Sequence, residues 1–223
     1  MESCKIQNLY HLEGTMAEEY LQKFTYPWEA LDGIKDFILE LGARLPKDRY
    51  EEVSEHVWVA KSATVAPTAF LGAPCIIGEE TEVRHCAFIR GNALVGDHCV
   101  VGNSTELKNV ILLGHVQVPH YNYVGDSILG VYSHMGAGSI TSNVKSDKTL
   151  VVVKGEEGQI ETGRKKFGAM LGDHVEVGCN SVLNPGTVVC PESNIYPTSC
   201  VRGVVPANSI WKKDGNIVKK VTK

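Results

Sequence analysis

Aliphatic side chains recur at every sixth position: Val59, Val65, Leu71, Ile77, Val83, Ile89, Val95, Val101, Leu107 and Leu113. The same beat returns at Leu171, Val177, Leu183, Val189, Ile195 and Val201. Four positions after each of the first eight stands a small residue: Ala63, Ala69, Cys75, Thr81, Ala87, Ala93, Cys99 and Thr105. A period of six fits neither a helix, which repeats near 3.6, nor an alternating strand. It predicts a left-handed parallel β-helix of hexapeptide repeats, an all-β prism with aliphatic side chains along its axis and small ones at its tight corners.

The rest of the chain is organised around this coil, expected over 53–205. Residues 1–52 carry no hexad. Thr15 with Glu18 reads as a capping box, and Pro27 opens a helix whose apolar face is Trp28, Leu31, Ile34, Phe37, Ile38 and Leu41, with Gly42 as terminator. These elements predict a helical arm covering one end of the prism, where stacked strands leave unpaired edges. The beat slips near Pro119 and again between Val124 and Leu129, and 144–168 leave it as a charged hairpin or loop projecting from the coil. Residues 206–223 read as a closing hairpin or tail around the turn Asp214-Gly215-Asn216.

Composition narrows the function classes. A formal net charge of −4 points to neither nucleic acid nor an anionic membrane surface. No apolar run approaches the roughly 18 residues of a membrane span, and the opening segment has no secretory pattern. Seven cysteines without a CxxC pair argue against a disulfide framework or a zinc knuckle, so a reduced, cytoplasmic location is expected. Cys75 and Cys99 fall in the small inward slots and read as packing residues.

Charge interrupts the pattern at three places. The residue after each aliphatic anchor is usually Ala or Gly, but Arg84, Arg90 and Lys108 stand there instead. Arg90 and Lys108 are eighteen positions apart, one full three-sided turn, so they should stack in adjacent layers about 5 Å apart. Two cations so close suit a phosphate or pyrophosphate; alternatively they belong to a surface ion network with Glu82, Glu106 or Asp126. His120 lies where the register slips, which should turn it out of the wall. Histidine suits general-base work because its unperturbed pKa is about 6.5.

The stretch ELKNVILLGHVQVPHYNYVGDSILGVYSHMGAGSITSN resembles the acetyltransferase domain of bifunctional UDP-N-acetylglucosamine pyrophosphorylase/glucosamine-1-phosphate N-acetyltransferase. With the later TGRKKFGAMLGDHVEVGCNSVLNPG it is more similar still to C-terminal domains of archaeal-type sugar-1-phosphate nucleotidylyltransferases, over about 53–205. The resemblance implies a general base at His120 and sugar-phosphate binding by Arg90 and Lys108. It further implies substrate contacts from Tyr123, Asn143 and His134, the last standing where the bifunctional enzyme has Asn, and acetyl-CoA contacts at Ala137 and Cys179. Lys148 is a loose match to a family Lys. A homotrimer with sites between subunits is implied too, with acetyl-CoA as co-substrate and an amino-sugar phosphate or nucleotide-amino sugar as acceptor. No glycine-rich nucleotidyltransferase signature precedes the coil. Two other readings compete. One is a non-catalytic sugar-nucleotide-binding or regulatory trimer. The other is a metal enzyme resembling γ-class carbonic anhydrase, which shares the fold and the H-x4-H spacing of His115 and His120.

Overall fold

The computed structural model describes residues 1–156, 158–212 and 215–221. Short strands wind round a three-sided prism and pair in parallel from one turn to the next. The first wall stacks Phe70–Leu71, Phe88–Ile89, the start of Glu106–Gly114, the start of Tyr123–Leu129, Ile140–Thr141, Val182–Leu183 and Cys200–Val201. The second stacks Val57–Ala60, Cys75–Ile77, Ala93–Asp97, the ends of the two long strands, Ala169–Leu171 and Thr187–Val189. The third runs from Thr64–Val65 to Ser209–Trp211.

Most corners turn on a residue in the left-handed region. Glu80, His98, His115, Tyr132 and His174 share one corner, Cys86, Ser104, Tyr121 and Asn180 the next, and Asn92, Asn109 and Asp126 the third. Asn, Asp and His tolerate this conformation better than most residues, so several histidines are placed by backbone geometry rather than by chemistry.

The axis is filled by the predicted anchors, with Cys75 and Cys99 buried among them. Leu113 is the exception. Phe88 pairs with Glu106, eighteen positions on, but Ala93 pairs with Val110, only seventeen on. The corner Lys108-Asn109 is thus one residue shorter than Arg90-Gly91-Asn92, and the beat breaks there, before the expected slip near Pro119. Leu112 takes the axial place and Leu113 faces outward.

The arm covers a side, not an end. Ile76, Leu94, Ile111, Ile128, Met170 and Val188 form an apolar stripe on the outside of the second wall, and Leu31, Ile34 and Ile38 pack on it. A stripe that long costs too much in water to stay open, and the arm removes it by lying along it. The expected single helix is two pieces, a 3-10 segment Pro27–Asp32 and an α-helix Ile34–Gly42; they meet at Gly33, where a Cβ would lie 2.6 Å from the Tyr20 hydroxyl, which itself donates to the Ala30 carbonyl. The capping box forms at Glu29, whose carboxylate accepts from the Thr25 and Tyr26 amides at 2.9 and 2.8 Å. At the predicted box, Thr15 instead donates to the Leu12 carbonyl and Glu18 accepts from the Gly14 amide.

The 144–168 excursion contains the expected hairpin, Val152–Gly155 against Gly158–Glu161, yet it folds back: Val151, Val153 and Phe167 are fully buried with the arm. Arg164 clamps Asp32 through two bonds of 2.8 and 2.6 Å. At the far end Ser209–Trp211 pairs antiparallel with Ile217–Lys219, and Trp211 closes the axis; Asp214 of the expected turn lies outside the described residues. Among the described residues no helix is long and apolar enough to cross a membrane.

Candidate functional site on the first wall

Arg90 and Lys108 do stack on one wall: the Arg90 amide donates to the Leu107 carbonyl, and Lys108 pairs in turn with Gly125. Both also carry the carboxylates of the alternative reading. Arg90 meets Glu106 at 2.8 Å with both side chains part-exposed, and Lys108 Nζ lies 3.1 Å from each oxygen of Asp126. The third cation, Arg84, pairs with Glu82 at 2.9 Å.

Asp126 is the hub of this wall, and sequence reasoning had it only as a counter-ion. Its side chain is 4% exposed. Besides Lys108 it accepts from Asn109 at 3.0 Å and from Asn143 at 2.5 Å. Asn109 also donates to the Leu31 carbonyl, tying the arm to the site. A carboxylate so enclosed is tolerable because its lone pairs are all engaged by donors, one of them charged.

Tyr123 lies flat along the wall. The column that holds Arg90 and Lys108 continues with Gly125, where a Cβ would sit 2.5 Å from the Tyr123 hydroxyl. The missing side chain lets the ring cross the wall and accept from Asn143 at 3.2 Å. Burial and the nearby Asp126 push the Tyr123 phenol above its ordinary range, so it stays protonated.

His120 is exposed at the end of Gln117–His120, where the third wall meets the first. The corner is pinned from below by Asn122, which is 2% exposed. Its amide donates to the carbonyls of Gly136 and Ser139 at 2.9 and 3.1 Å, while its oxygen accepts from the His120 amide at 3.1 Å. Ala137 and Cys179 continue the same edge, since Gly138 donates to the His120 carbonyl and Asn180 to that of Ala137. His120, Ala137 and Cys179 therefore form one strip. His134 is not brought to Tyr123 and Asn143 within this chain: it stands on the third wall and bonds Glu176 at 2.8 Å. Lys148 is exposed in the excursion.

His115 belongs to a ladder on another corner, with His98, Tyr132 and His174 stacked at centroid spacings of 4.6, 4.3 and 5.1 Å and nearly parallel. Parallel stacked imidazoles present their nitrogens side by side and cannot converge on one ion, which needs bonds near 2.0–2.1 Å. Burial, helped by His98, holds the His115 pKa below its ordinary value, although Asp97 pulls the other way. The unfolded chain thus binds more protons there. Stability from this site is complete above the unfolded pKa of about 6.5 and is lost as pH falls below it. A midpoint of thermal unfolding followed from pH 8 to 5 should fall less steeply for His115→Tyr, which keeps a ring in the ladder, than for the parent; equal slopes would refute the assignment.

Comparison with known proteins places the chain among relatives that carry a hexapeptide coil. The family model described as the GMPPB C-terminal domain matches residues 73–205, and the chain belongs to that family. A "Bifunctional sugar-1-phosphate nucleotidylyltransferase/acetyltransferase" of Sulfurisphaera tokodaii is 32% identical over 105 residues, 47% of this chain and 26% of that protein. A "Bifunctional protein GlmU" of Methanococcus aeolicus is 28% identical over 214 residues, 94% of this chain and 51% of that protein. The chain thus spans about half or less of the length of these curated relatives. Among solved structures, a hexapeptide transferase family protein from Anaplasma phagocytophilum is 14% identical over 74% of this chain and 79% of its own, with a TM-score of 0.41.

Proposed function

We propose that the chain is an acetyl-CoA-dependent N-acetyltransferase acting on an amino-sugar phosphate or nucleotide-linked amino sugar, working as a cytoplasmic homotrimer whose sites lie between subunits. What carries this reading is the exposed His120 at the head of the Ala137–Cys179 edge, beside a wall that presents Arg90, Lys108, Tyr123 and Asn143.

Magnitudes separate the roles of the two cations. The Arg90–Glu106 pair is exposed, worth at most about 1 kcal/mol, so a phosphate can displace Glu106 and take the guanidinium fork. Lys108 cannot leave Asp126 as cheaply, because a buried carboxylate without its cation is costly. Of its three ammonium hydrogens, those not directed at Asp126 remain for a ligand. Arg90 is therefore the main phosphate anchor and Lys108 a fixed guide. Tyr123 and Asn143 present the hydroxyl and amide that orient the sugar. His120 takes the proton from the acceptor amine as its nitrogen bonds to the thioester carbonyl carbon; the C–S bond then breaks, and the coenzyme thiolate leaves and is protonated. Backbone N–H groups along the edge meet the transient oxyanion. His134, held by Glu176, would reach an acceptor only across a subunit boundary.

The test is thiol release from acetyl-CoA with glucosamine-1-phosphate and UDP-glucosamine as acceptors. Turnover with one of them is expected, together with a rise in melting temperature on adding acetyl-CoA, worth about 2.7 kcal/mol at a hundredfold excess over Kd. A second reading, a non-catalytic sugar-nucleotide-binding trimer, is favoured by the carboxylates already paired with Arg90 and Lys108. It would gain if a sugar nucleotide raised the melting temperature while no thiol appeared.

A further inference from the structure

The column that holds Arg90 and Lys108 runs on through Gly125, Ser142 and Asn184 to Arg202, each residue following an axial anchor in successive layers. Arg202 is four layers beyond Lys108, roughly 19 Å at about 4.8 Å per layer. One phosphate cannot touch both. At this lower end the excursion that leaves the hexad register returns to the coil and walls off a cavity of about 330 Å³ lined by Lys145, Lys154, Asn184, Pro185 and Arg202, with Val152 and Gly203.

Three features make this a built pocket rather than a chance meeting of surface lysines. The strand Val152–Gly155 is seated against the coil at two left-handed glycines: a Cβ at Gly186 would meet Val151 at 2.6 Å, and one at Gly203 would meet the Lys154 carbonyl at 2.5 Å. Alternation along that strand buries Val151 and Val153 and turns Lys154 out beside Arg202. The lining contains three cations and no carboxylate. Lys145 is partnered by Asp147 at 3.4 Å, while Lys154 and Arg202 form no ion pair among the described residues. Glu161, opposite Val152 in the hairpin, shares the face of Lys154 without pairing to it. Like charges held together by the fold in a concavity repel each other until an anion enters, and the low-dielectric walls strengthen its attraction.

We propose that this pocket is a diphosphate subsite, with Arg202 as the fork, Lys154 and Lys145 as point charges and the Asn184 edge beside them. Diphosphate is common to a nucleotide-linked sugar and to coenzyme A, and the function proposed above supplies both as sources; the subsite itself does not depend on His120 chemistry. The hairpin is then a specificity element, present to hold the part of a substrate that lies beyond the reacting sugar.

Calorimetric titration of the full chain with inorganic pyrophosphate tests it. Saturable binding is expected, weakening at least tenfold in Lys154→Gln/Arg202→Gln, tightening in Glu161→Gln and fading with added salt. Both cations are exposed, so the variant should melt with the parent. His120→Ala should bind pyrophosphate normally even where it acetylates nothing, which separates failure of the subsite from failure of the proposed reaction. Displacement by UDP assigns the subsite to a nucleotide-linked acceptor, and displacement by coenzyme A assigns it to the donor. No binding, equal binding by the double variant, or displacement by neither overturns the proposal.

Discussion

His120→Ala is expected to lower the rate of acetyl transfer by about 10²–10⁴-fold, the usual contribution of a positioned general base. The fall should appear in kcat, with KM for the amino sugar little changed, because in the proposed site binding is assigned to Arg90, Tyr123 and Asn143 and not to the imidazole. Stability should move by no more than about 0.5 kcal/mol: the ring is exposed, and the corner is held by the His120 amide on Asn122, which Ala preserves. Thiol release measured beside a thermal melt checks both statements. A variant that turns over like the parent would remove His120 from the mechanism.

Gly102→Ala should be the most damaging single methyl in the coil. Gly102 follows the axial anchor Val101, and a Cβ there would overlap the Pro119 carbonyl of the next layer. The obstruction is backbone against backbone, so no side-chain rotation relieves it, and overpacking of this kind exceeds the ordinary range of about 1–3 kcal/mol. A loss above about 4 kcal/mol, or failure to fold, is expected. Gly114→Ala is the control, since its nearest neighbour would be the Asp97 carbonyl at 3.7 Å, an ordinary contact. Urea midpoints for the two variants should differ widely; similar midpoints would show that the layers can slide apart more easily than their spacing implies.

The small residue after each anchor was legible for this same reason. Neighbouring layers leave little room outside the anchor, and sequence periodicity records that crowding turn after turn. Arg90 and Lys108 stood out because they broke it, and their stacking followed from counting one turn. His115, offered by the competing metal reading, occupies a left-handed corner position that favours His as much as Asn, as do His98 and His174 at the same corner. The register of Leu113 misled: the corner shortened at Asn109, where two adjacent apolar residues, Leu112 and Leu113, made either phase look equally good. The arm's resting place was written in the pairs Ile76-Ile77, Leu94-Val95, Ile111-Leu112, Ile128-Leu129, Met170-Leu171 and Val188-Val189. In each, one residue faces the axis and the other faces out. A strand apolar on both faces is buried on both faces.

Periodicity alone determined the prism, its axial residues apart from Leu112, and the shared wall of the two cations, because a stacked coil repeats the same steric demand in every layer and so repeats it in the sequence. Contacts made once do not repeat. Asp126 gathering Lys108, Asn109 and Asn143, the arm's carbonyl at Leu31 reaching Asn109, and Lys154 coming to rest beside Arg202 each join segments far apart in the chain. Only closure of the tertiary structure could decide which charges are already neutralised on this molecule and which still await a partner.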